Sequence, residues 1–209
     1  MSTLLKKLCS FLSFCSEPAT VKPTDKVVAV CVGHSRRNDN GAVNTDGASE
    51  YKYNALVGVV VAEQLRRMGH TPHLIAEYGG NSYGSAMTWV AAKVKELKAD
   101  VAVELHFNSA ASKKATGHEW LYWLTSRKGK LLAESFQRSF VEAFPDRVDR
   151  GLKAKDQNSR GAGFLSKTHC PAIICEPFFG SNEEETEYFS RRVDQLGVSY
   201  ASAIDRFLR

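Results

Sequence analysis

Apolar residues form three short runs in this chain, and each run ends in polar side chains. The runs cover residues 26–34, 100–110 and 171–179. Within the central run, apolar side chains occupy alternate positions, which is the period of a strand. The runs end in His34, in His106 and in Glu176. Because parallel strands of an α/β sheet carry their functional groups at their carboxyl ends, these three side chains predict one shared site.

Between these runs, apolar positions recur every three or four residues, which is the period of a helix. We predict helices over residues 50–68, 85–97, 128–144 and 183–208. Two further short strands are predicted over residues 71–76 and 118–124. The segment from Arg150 to Gly163 is basic and polar, and it is predicted to be a loop. Strands that alternate with helices are typical of an α/β domain with a largely parallel sheet.

The composition is that of an ordinary globular protein and sets a few limits. The 209 residues suffice for one domain with a substantial core and are too few for two comfortable ones. The net charge of +5 is compatible with an anionic polymer as partner, and we expect no nucleic acid partner. Five cysteines without CxxC spacing argue against a disulfide framework and favour a reducing compartment.

Residues 1–25 differ from the rest of the chain and indicate an N-terminal amphipathic leader followed by a linker. Apolar residues surround Lys6 and Lys7 at near-helical spacing. Three interpretations stay open: a short helix that contacts the domain or a peripheral partner through residues 4–15, a poor export signal, and a lipid-modified Cys15. We favour the helix, with export second. No apolar run is long enough for a transmembrane segment. Residues 26–209 form the predicted catalytic domain.

Four residues at the predicted strand ends and helix start have the chemistry of a hydrolytic metal site. His34, Glu50 and His106 supply two imidazoles and one carboxylate, the ligand set of open catalytic zinc sites. Such a metal lowers the pKa of a bound water from about 16 toward about 7. Glu176 is then free to act as the general base. The spacing from His34 to Glu50 matches no compact motif, so the hypothesis depends on all four residues together.

Several stretches resemble the zinc-dependent N-acetylmuramoyl-L-alanine amidases of the amidase-3 family. They are Gly33-His34, the loop that leads to Glu50, and residues 103–110, 117–120 and 171–182. The resemblance extends over roughly residues 27–208. It implies a single α/β domain with a mixed, mostly parallel sheet flanked by helices. It also implies one zinc ion held at His34, Glu50 and His106, with Glu176 catalytic. The implied reaction is cleavage of the bond between the lactyl group of N-acetylmuramic acid and L-alanine in peptidoglycan.

The chain departs from the family's pattern at positions that concern the substrate more than the metal. The family's Gly-rich start is replaced by residues 34–39, and a family Arg has no clear counterpart near residues 83–87. Glu104 occupies a strand position where the family usually has a small polar residue. It could fix the tautomer of His106 from outside the metal's own ligands. The alternative is a carboxylate satisfied by solvent at the sheet edge.

Substrate-binding candidates are Asn108, Arg150 and Arg160. Arginine suits bidentate capture of the carboxylates of a stem peptide, although a solvated run of charge explains the same residues. We expect a monomer with peptidoglycan as partner. The absence of an obvious export signal favours an endolysin that waits in the host cytoplasm, and an amidase exported to the periplasm or cell wall is the near alternative. A zinc hydrolase of a small N-acyl amino acid and a non-catalytic wall-binding module are the other hypotheses.

Overall fold

The computed structural model describes residues 25–35, 39–159 and 161–209. Six strands form one sheet in the order β2-β1-β3-β6-β4-β5. Only the pairing of β4 with β6 is antiparallel, and the other four pairings are parallel. The strands are β1 Val27–Val32, β2 Thr71–Ile75, β3 Val101–Leu105, β4 His118–Trp123, β5 Asp149–Lys155 and β6 Ala172–Glu176.

Six helices in the described residues cover the two faces of this sheet. They are α1 Glu50–Arg67, α2 Tyr83–Glu96, α3 Arg127–Ala143, α4 Ala162–Lys167, α5 Glu183–Ser190 and α6 Val193–Leu208. Ser49, Ser82 and Ser126 begin three of them, and each side chain accepts a hydrogen bond from a backbone N–H of the first turn. No described helix combines the length and apolar character that crossing a bilayer requires.

Alternate strand residues point into two separate cores, one on each face of the sheet. Val101, Val103 and Leu105 of β3 join the larger core with residues of α1, α3 and α6. Ala102 joins the smaller core, which contains residues of α2 and α4. This alternation places Glu104 on the face that α2 and α4 cover. The central strand is therefore buried on both faces, as expected for parallel strands.

Two predicted elements differ from the structure. Residues 149–155, predicted to be part of a loop, form the edge strand β5 in parallel pairing with β4. This strand was missed because its basic, polar composition resembles that of a loop. Charged side chains are also common on exposed sheet edges. The predicted helix over residues 183–208 is divided into α5 and α6, with α5 ending at Ser190. The predictions for residues 1–24 lie outside the described residues, and the domain boundary stays a prediction.

A buried carboxylate fixes the segment that follows β6. Glu185 is 2% exposed. Its side chain accepts hydrogen bonds from Thr116 Oγ1 at 2.5 Å, Gly117 N at 2.8 Å and Phe179 N at 2.7 Å. These three donors satisfy a charge whose burial would otherwise be costly. The contacts hold the start of β4 beside the turn that follows β6.

The first residue of β4 is a histidine without access to solvent. Trp120 Nε1 donates to His118 Nδ1 at 3.2 Å, so a neutral imidazole carries its proton on Nε2. Among the described residues no group accepts a hydrogen bond from this Nε2. The ring packs on Phe140 with 4.3 Å between centroids. Burial lowers the pKa of His118 to about 4, although the charge of Asp149 opposes the shift.

We expect acid to weaken the fold through His118. Its pKa is lower in the folded state than its ordinary value of 6.5, so the unfolded state binds more protons as the pH falls from 6.5 to about 4. Stability that is fully present above pH 6.5 is lost across this window, by as much as about 3 kcal/mol. Urea unfolding of the parent and of His118→Gln at neutral pH and in mild acid measures the difference. If the free energy of unfolding falls equally in both proteins between neutral pH and mild acid, the prediction is contradicted.

Candidate metal centre

A cavity of about 1090 Å³ opens at the carboxyl ends of β1, β3 and β6. His34, Glu50, His106 and Glu176 all line it. His34 follows β1, His106 follows β3 directly, and Glu176 is the last residue of β6. Glu50 reaches the same place as the first residue of α1. The four residues that were predicted to share one site therefore face one cavity.

Glu50 lies between the two imidazoles. Its Oε2 is 3.1 Å from His34 Nε2, and its Oε1 is 2.8 Å from His106 Nδ1. The same carboxylate accepts hydrogen bonds from Ala42 N at 3.1 Å and Phe107 N at 3.2 Å. Burial would raise the pKa of Glu50, but the hydrogen bonds and charges of both histidines outweigh it and lower that pKa well below its usual range. Glu50 is thus a carboxylate at neutral pH.

Each imidazole also has a carboxylate at its other nitrogen. His34 Nδ1 is 2.9 Å from Asp39 Oδ2, and His106 Nε2 is 3.4 Å from Glu104 Oε2. The side chain of Asp39 is 65% exposed, whereas that of Glu104 is 4% exposed. Burial alone would lower the pKa of His106, but its hydrogen bonds with Glu104 and Glu50 raise that pKa well above its ordinary value.

The donor atoms fit a divalent transition metal ion. One ligand atom from each of His34, Glu50 and His106 lies within 4.8 Å of the other two. Two imidazole nitrogens and a carboxylate are a set that zinc and similar ions accept, with coordination positions left for water or substrate. The three residues could therefore hold one such ion at the carboxyl ends of the strands.

Glu176 faces the cavity as a carboxyl group with a free oxygen. Among the described residues, none forms a hydrogen bond with its Oε2. Burial raises the pKa of Glu176 to about 8, and the charges of Glu50 and Glu119 contribute, while His106 and His34 oppose the shift. A carboxyl group with a pKa near neutrality can both accept and release a proton at physiological pH, which general acid–base catalysis requires.

The structure shows the surroundings of two of the three substrate-binding candidates, Asn108 and Arg150. Asn108 lines the cavity, and its Nδ2 donates to Glu119 Oε1 at 3.1 Å. Arg150 Nε donates to Glu119 Oε2 at 2.8 Å, and its guanidinium lies over the ring of Phe179 at 4.9 Å. Arg150 is thus engaged with Glu119 and does not contact the described cavity directly. Arg160 lies outside the described residues.

Sequence reasoning did not assign Glu119 to the site. Glu119 pairs directly with Glu176 across β4 and β6, and both line the cavity. Asp39 and Tyr78, which also line it, were missed as well. The sequence did offer one indication, because the Gly117-His-Glu119-Trp stretch is among those that resemble the amidase-3 family. That resemblance did not assign a role to Glu119. Only the antiparallel register of β4 and β6 brings the two carboxylates together.

A family model described as N-acetylmuramoyl-L-alanine amidase matches residues 28–206, which confirms the resemblance inferred from the sequence. A search of curated proteins finds no match.

Similar solved structures confirm the predicted fold class. The catalytic domain of CwlV, an N-acetylmuramoyl-L-alanine amidase from Bacillus (Paenibacillus) polymyxa var. colistinus, is 24% identical, with 88% of this chain and 98% of that chain covered and a TM-score of 0.74. An N-acetylmuramoyl-L-alanine amidase from Clostridium difficile 630 gives 22% identity, coverages of 88% and 97%, and a TM-score of 0.77. The catalytic domain of an endolysin targeting Clostridia difficile is 21% identical, with 86% of this chain and 96% of that chain covered and a TM-score of 0.69.

We expect Gly33→Ala to weaken metal binding by displacing His106. A Cβ at this position would lie 2.4 Å from His106 Cε1 and 2.6 Å from the carbonyl oxygen of Leu105, closer than real Cβ contacts. The imidazole must then shift from its position beside Glu50. A loss of affinity of about tenfold or more for Co²⁺ is expected, as for other changes that misorient a ligand. Titration followed by the visible absorption of Co²⁺ measures it.

Gly84→Ala is the matched control for this substitution. A Cβ at Gly84 meets nothing within 4 Å, and alanine is favoured over glycine inside a helix. The control should therefore bind Co²⁺ like the parent. Equal affinities of the Gly33 and Gly84 variants would contradict the packing argument.

Proposed function

The chain belongs to the N-acetylmuramoyl-L-alanine amidase family, and from this premise we propose how its residues carry out the reaction. The enzyme hydrolyses the amide bond between the lactyl group of N-acetylmuramic acid and L-alanine in peptidoglycan. We propose that it uses one zinc ion, bound by His34, Glu50 and His106, and that Glu176 is the general base. The observation that carries this proposal is that Glu176, whose Oε2 has no hydrogen-bond partner among the described residues, lines the same cavity as the three donor residues.

Zinc, when bound, would polarise the scissile carbonyl and make a water molecule acidic enough to attack at neutral pH. The chain's own residues then account for the protons. Glu176 accepts the proton that the water loses as its oxygen bonds to the carbonyl carbon. Glu176 next releases this proton to the nitrogen of L-alanine as the carbon–nitrogen bond breaks. The products are a carboxylate on the muramic acid and a free amine on the peptide.

Glu119 is a common partner of two substrate-binding candidates, Asn108 and Arg150. Asn108 and Arg150 hold opposite oxygens of its carboxylate, and this pairing neutralises part of a charge that stands next to Glu176. We propose that Asn108 contacts the substrate from the cavity wall. Arg150 and Arg160 stay proposals for binding stem-peptide carboxylates, and for Arg150 this would require release from Glu119.

We further propose an endolysin-like role, in which a monomeric enzyme stays in the host cytoplasm until the membrane is breached. Support comes from Cys31, Cys170 and Cys175, which are free thiols of the kind that a reducing compartment preserves. The competing proposal is export to the periplasm or cell wall by residues 1–25. Fusion of these residues to a reporter that is active only after export distinguishes the two, and an active reporter would contradict the cytoplasmic role.

We expect Glu176→Gln and His106→Ala to fail for different reasons. The first variant retains the three metal donors but has no base, so it should bind zinc and lose activity by at least about 100-fold. The second variant lacks one donor and should lose zinc. Zinc content after dialysis and the rate of peptidoglycan hydrolysis give the two readouts. A Glu176 variant with the parent rate would contradict the assignment of the base.

Digestion of muropeptides, followed by mass analysis of the fragments, tests the bond and the metal together. We expect disaccharides with a free lactyl carboxylate and peptides with a free N-terminal L-alanine. A chelator should abolish both products, and added Zn²⁺ should restore them. Cleavage confined to small N-acyl amino acids would support the related hydrolase instead, and binding without cleavage would support a wall-binding module.

A further inference from the structure

Glu104 is a buried carboxylate in the middle of the sheet with few partners. It is 3% exposed and lies in register between Cys31 of β1 and Ile174 of β6. Its neighbours on that face belong to the apolar core beneath α2 and α4. A carboxylate in such surroundings costs several kcal/mol unless its oxygens are paired, so its position in a central strand requires an explanation.

Both oxygens of Glu104 have one partner each, and the two partners lie on different sides. Tyr78 Oη donates to Glu104 Oε1 at 3.2 Å. His106 Nε2 is 3.4 Å from Glu104 Oε2. Tyr78, Glu104 and His106 therefore form a chain of polar groups that runs from the cavity wall to the metal donors. Its far end is His106 Nδ1, 2.8 Å from Glu50 Oε1.

The geometry also decides which edge of the imidazole is available to a metal ion. A Cβ on Gly33 would lie 2.4 Å from His106 Cε1 and 2.5 Å from Nε2, so this edge is packed against backbone. The Nδ1 edge instead faces Glu50 and, beyond it, His34. Glu104 is accordingly on the opposite side of the ring from the cluster of donor atoms. It does not belong to the donor cluster formed by His34, Glu50 and His106.

We propose that Glu104 and Tyr78 form a buried dyad that orients His106 for metal binding. In this proposal, Glu104 accepts a hydrogen bond from Nε2–H of His106, so the neutral imidazole keeps its proton on Nε2 and directs its Nδ1 lone pair toward the metal position. Tyr78 holds the second oxygen, so the carboxylate cannot rotate away from the ring. Both are positioning residues and neither contacts the metal. The inference rests on the proposed function, because it presumes that His106 is a metal ligand.

The arrangement gives the two histidine ligands outer partners of different strength. His34 Nδ1 is paired with Asp39, whose side chain is mostly exposed, so water competes for that contact. In the contact of His106 with Glu104 the carboxylate is only 4% exposed, and an ion pair or charged hydrogen bond is stronger where water is excluded. The buried dyad should therefore contribute more to the metal affinity than the exposed carboxylate does.

The zinc affinity of four variants of the full-length protein tests the dyad. A chromophoric chelator competes for Zn²⁺ with Glu104→Gln, Glu104→Leu, Tyr78→Phe and the double variant Tyr78→Phe/Glu104→Leu. Loss of a ligand's outer partner typically costs about 10-fold to 100-fold in affinity, and we expect this for Glu104→Leu. Glu104→Gln should lose less, since its amide oxygen still accepts a hydrogen bond. Tyr78→Phe should lower the parent's affinity but should not change that of Glu104→Leu.

Tyr188→Phe is the matched control for Tyr78→Phe. Tyr188 Oη donates to Asp146 Oδ1 at 3.3 Å, which is the same kind of contact, outside the residues that line the cavity. This variant should bind zinc like the parent. The absorption spectrum of bound Co²⁺ supplies a second readout, because a reoriented imidazole changes the ligand field while a purely structural change leaves it unaltered. Thermal unfolding of the chelator-treated variants verifies that each is folded.

The outcomes separate this inference from the proposed function. If His106→Ala loses zinc while both Glu104 variants bind Zn²⁺ at the parent affinity with the parent Co²⁺ spectrum, the dyad is contradicted and the metal site stands. If His106→Ala binds zinc like the parent, both proposals fail. If Glu104→Leu does not fold, Glu104→Gln and Tyr78→Phe decide the question in the same way.

Discussion

The structure of the site depends on one buried carboxylate held between two imidazoles. Glu50 is 4% exposed, and its charge is stabilised by contacts with His34 and His106 and by two backbone N–H groups. An unpaired carboxylate at this depth would cost several kcal/mol. The loop after β1, the end of β3 and the start of α1 must therefore meet at Glu50. The same contacts bring together the three residues that we propose to bind the metal, so in this proposal the constraint on folding is also the constraint on function.

The sheet supplies the rest of the geometry through its order and directions. β1, β3 and β6 are adjacent and parallel, so their carboxyl ends deliver His34, His106 and Glu176 to one edge. β4 runs antiparallel to β6 and places Glu119 directly beside Glu176. The charge of Glu119 opposes the ionisation of Glu176. Burial and this repulsion together raise the pKa of Glu176 toward neutrality, where a proton shuttle is most effective.

The sequence predicts local features well and pairings across the sheet poorly. The alternating pattern before His106 and the helical period after Glu50 depend only on neighbouring residues, and both predicted elements exist. The edge strand β5 was missed, since its stability comes from pairing with β4 and not from its own apolar pattern. The hydrogen bond from Arg150 to Glu119 joins β5 to β4. Neither this link nor the pair of Glu119 and Glu176 could be derived without the register.

The zinc site that we propose holds a single ion among two imidazole nitrogens and the carboxylate of Glu50, beside a carboxyl group that does not bind it. A crystal structure of the zinc-loaded protein, with anomalous data collected at the zinc absorption edge, tests this most directly. We expect one anomalous peak at about 2.0–2.2 Å from His34 Nε2, His106 Nδ1 and a Glu50 oxygen, with Glu176 outside bonding distance. A peak elsewhere, or an ion bound through His106 Nε2, would contradict it.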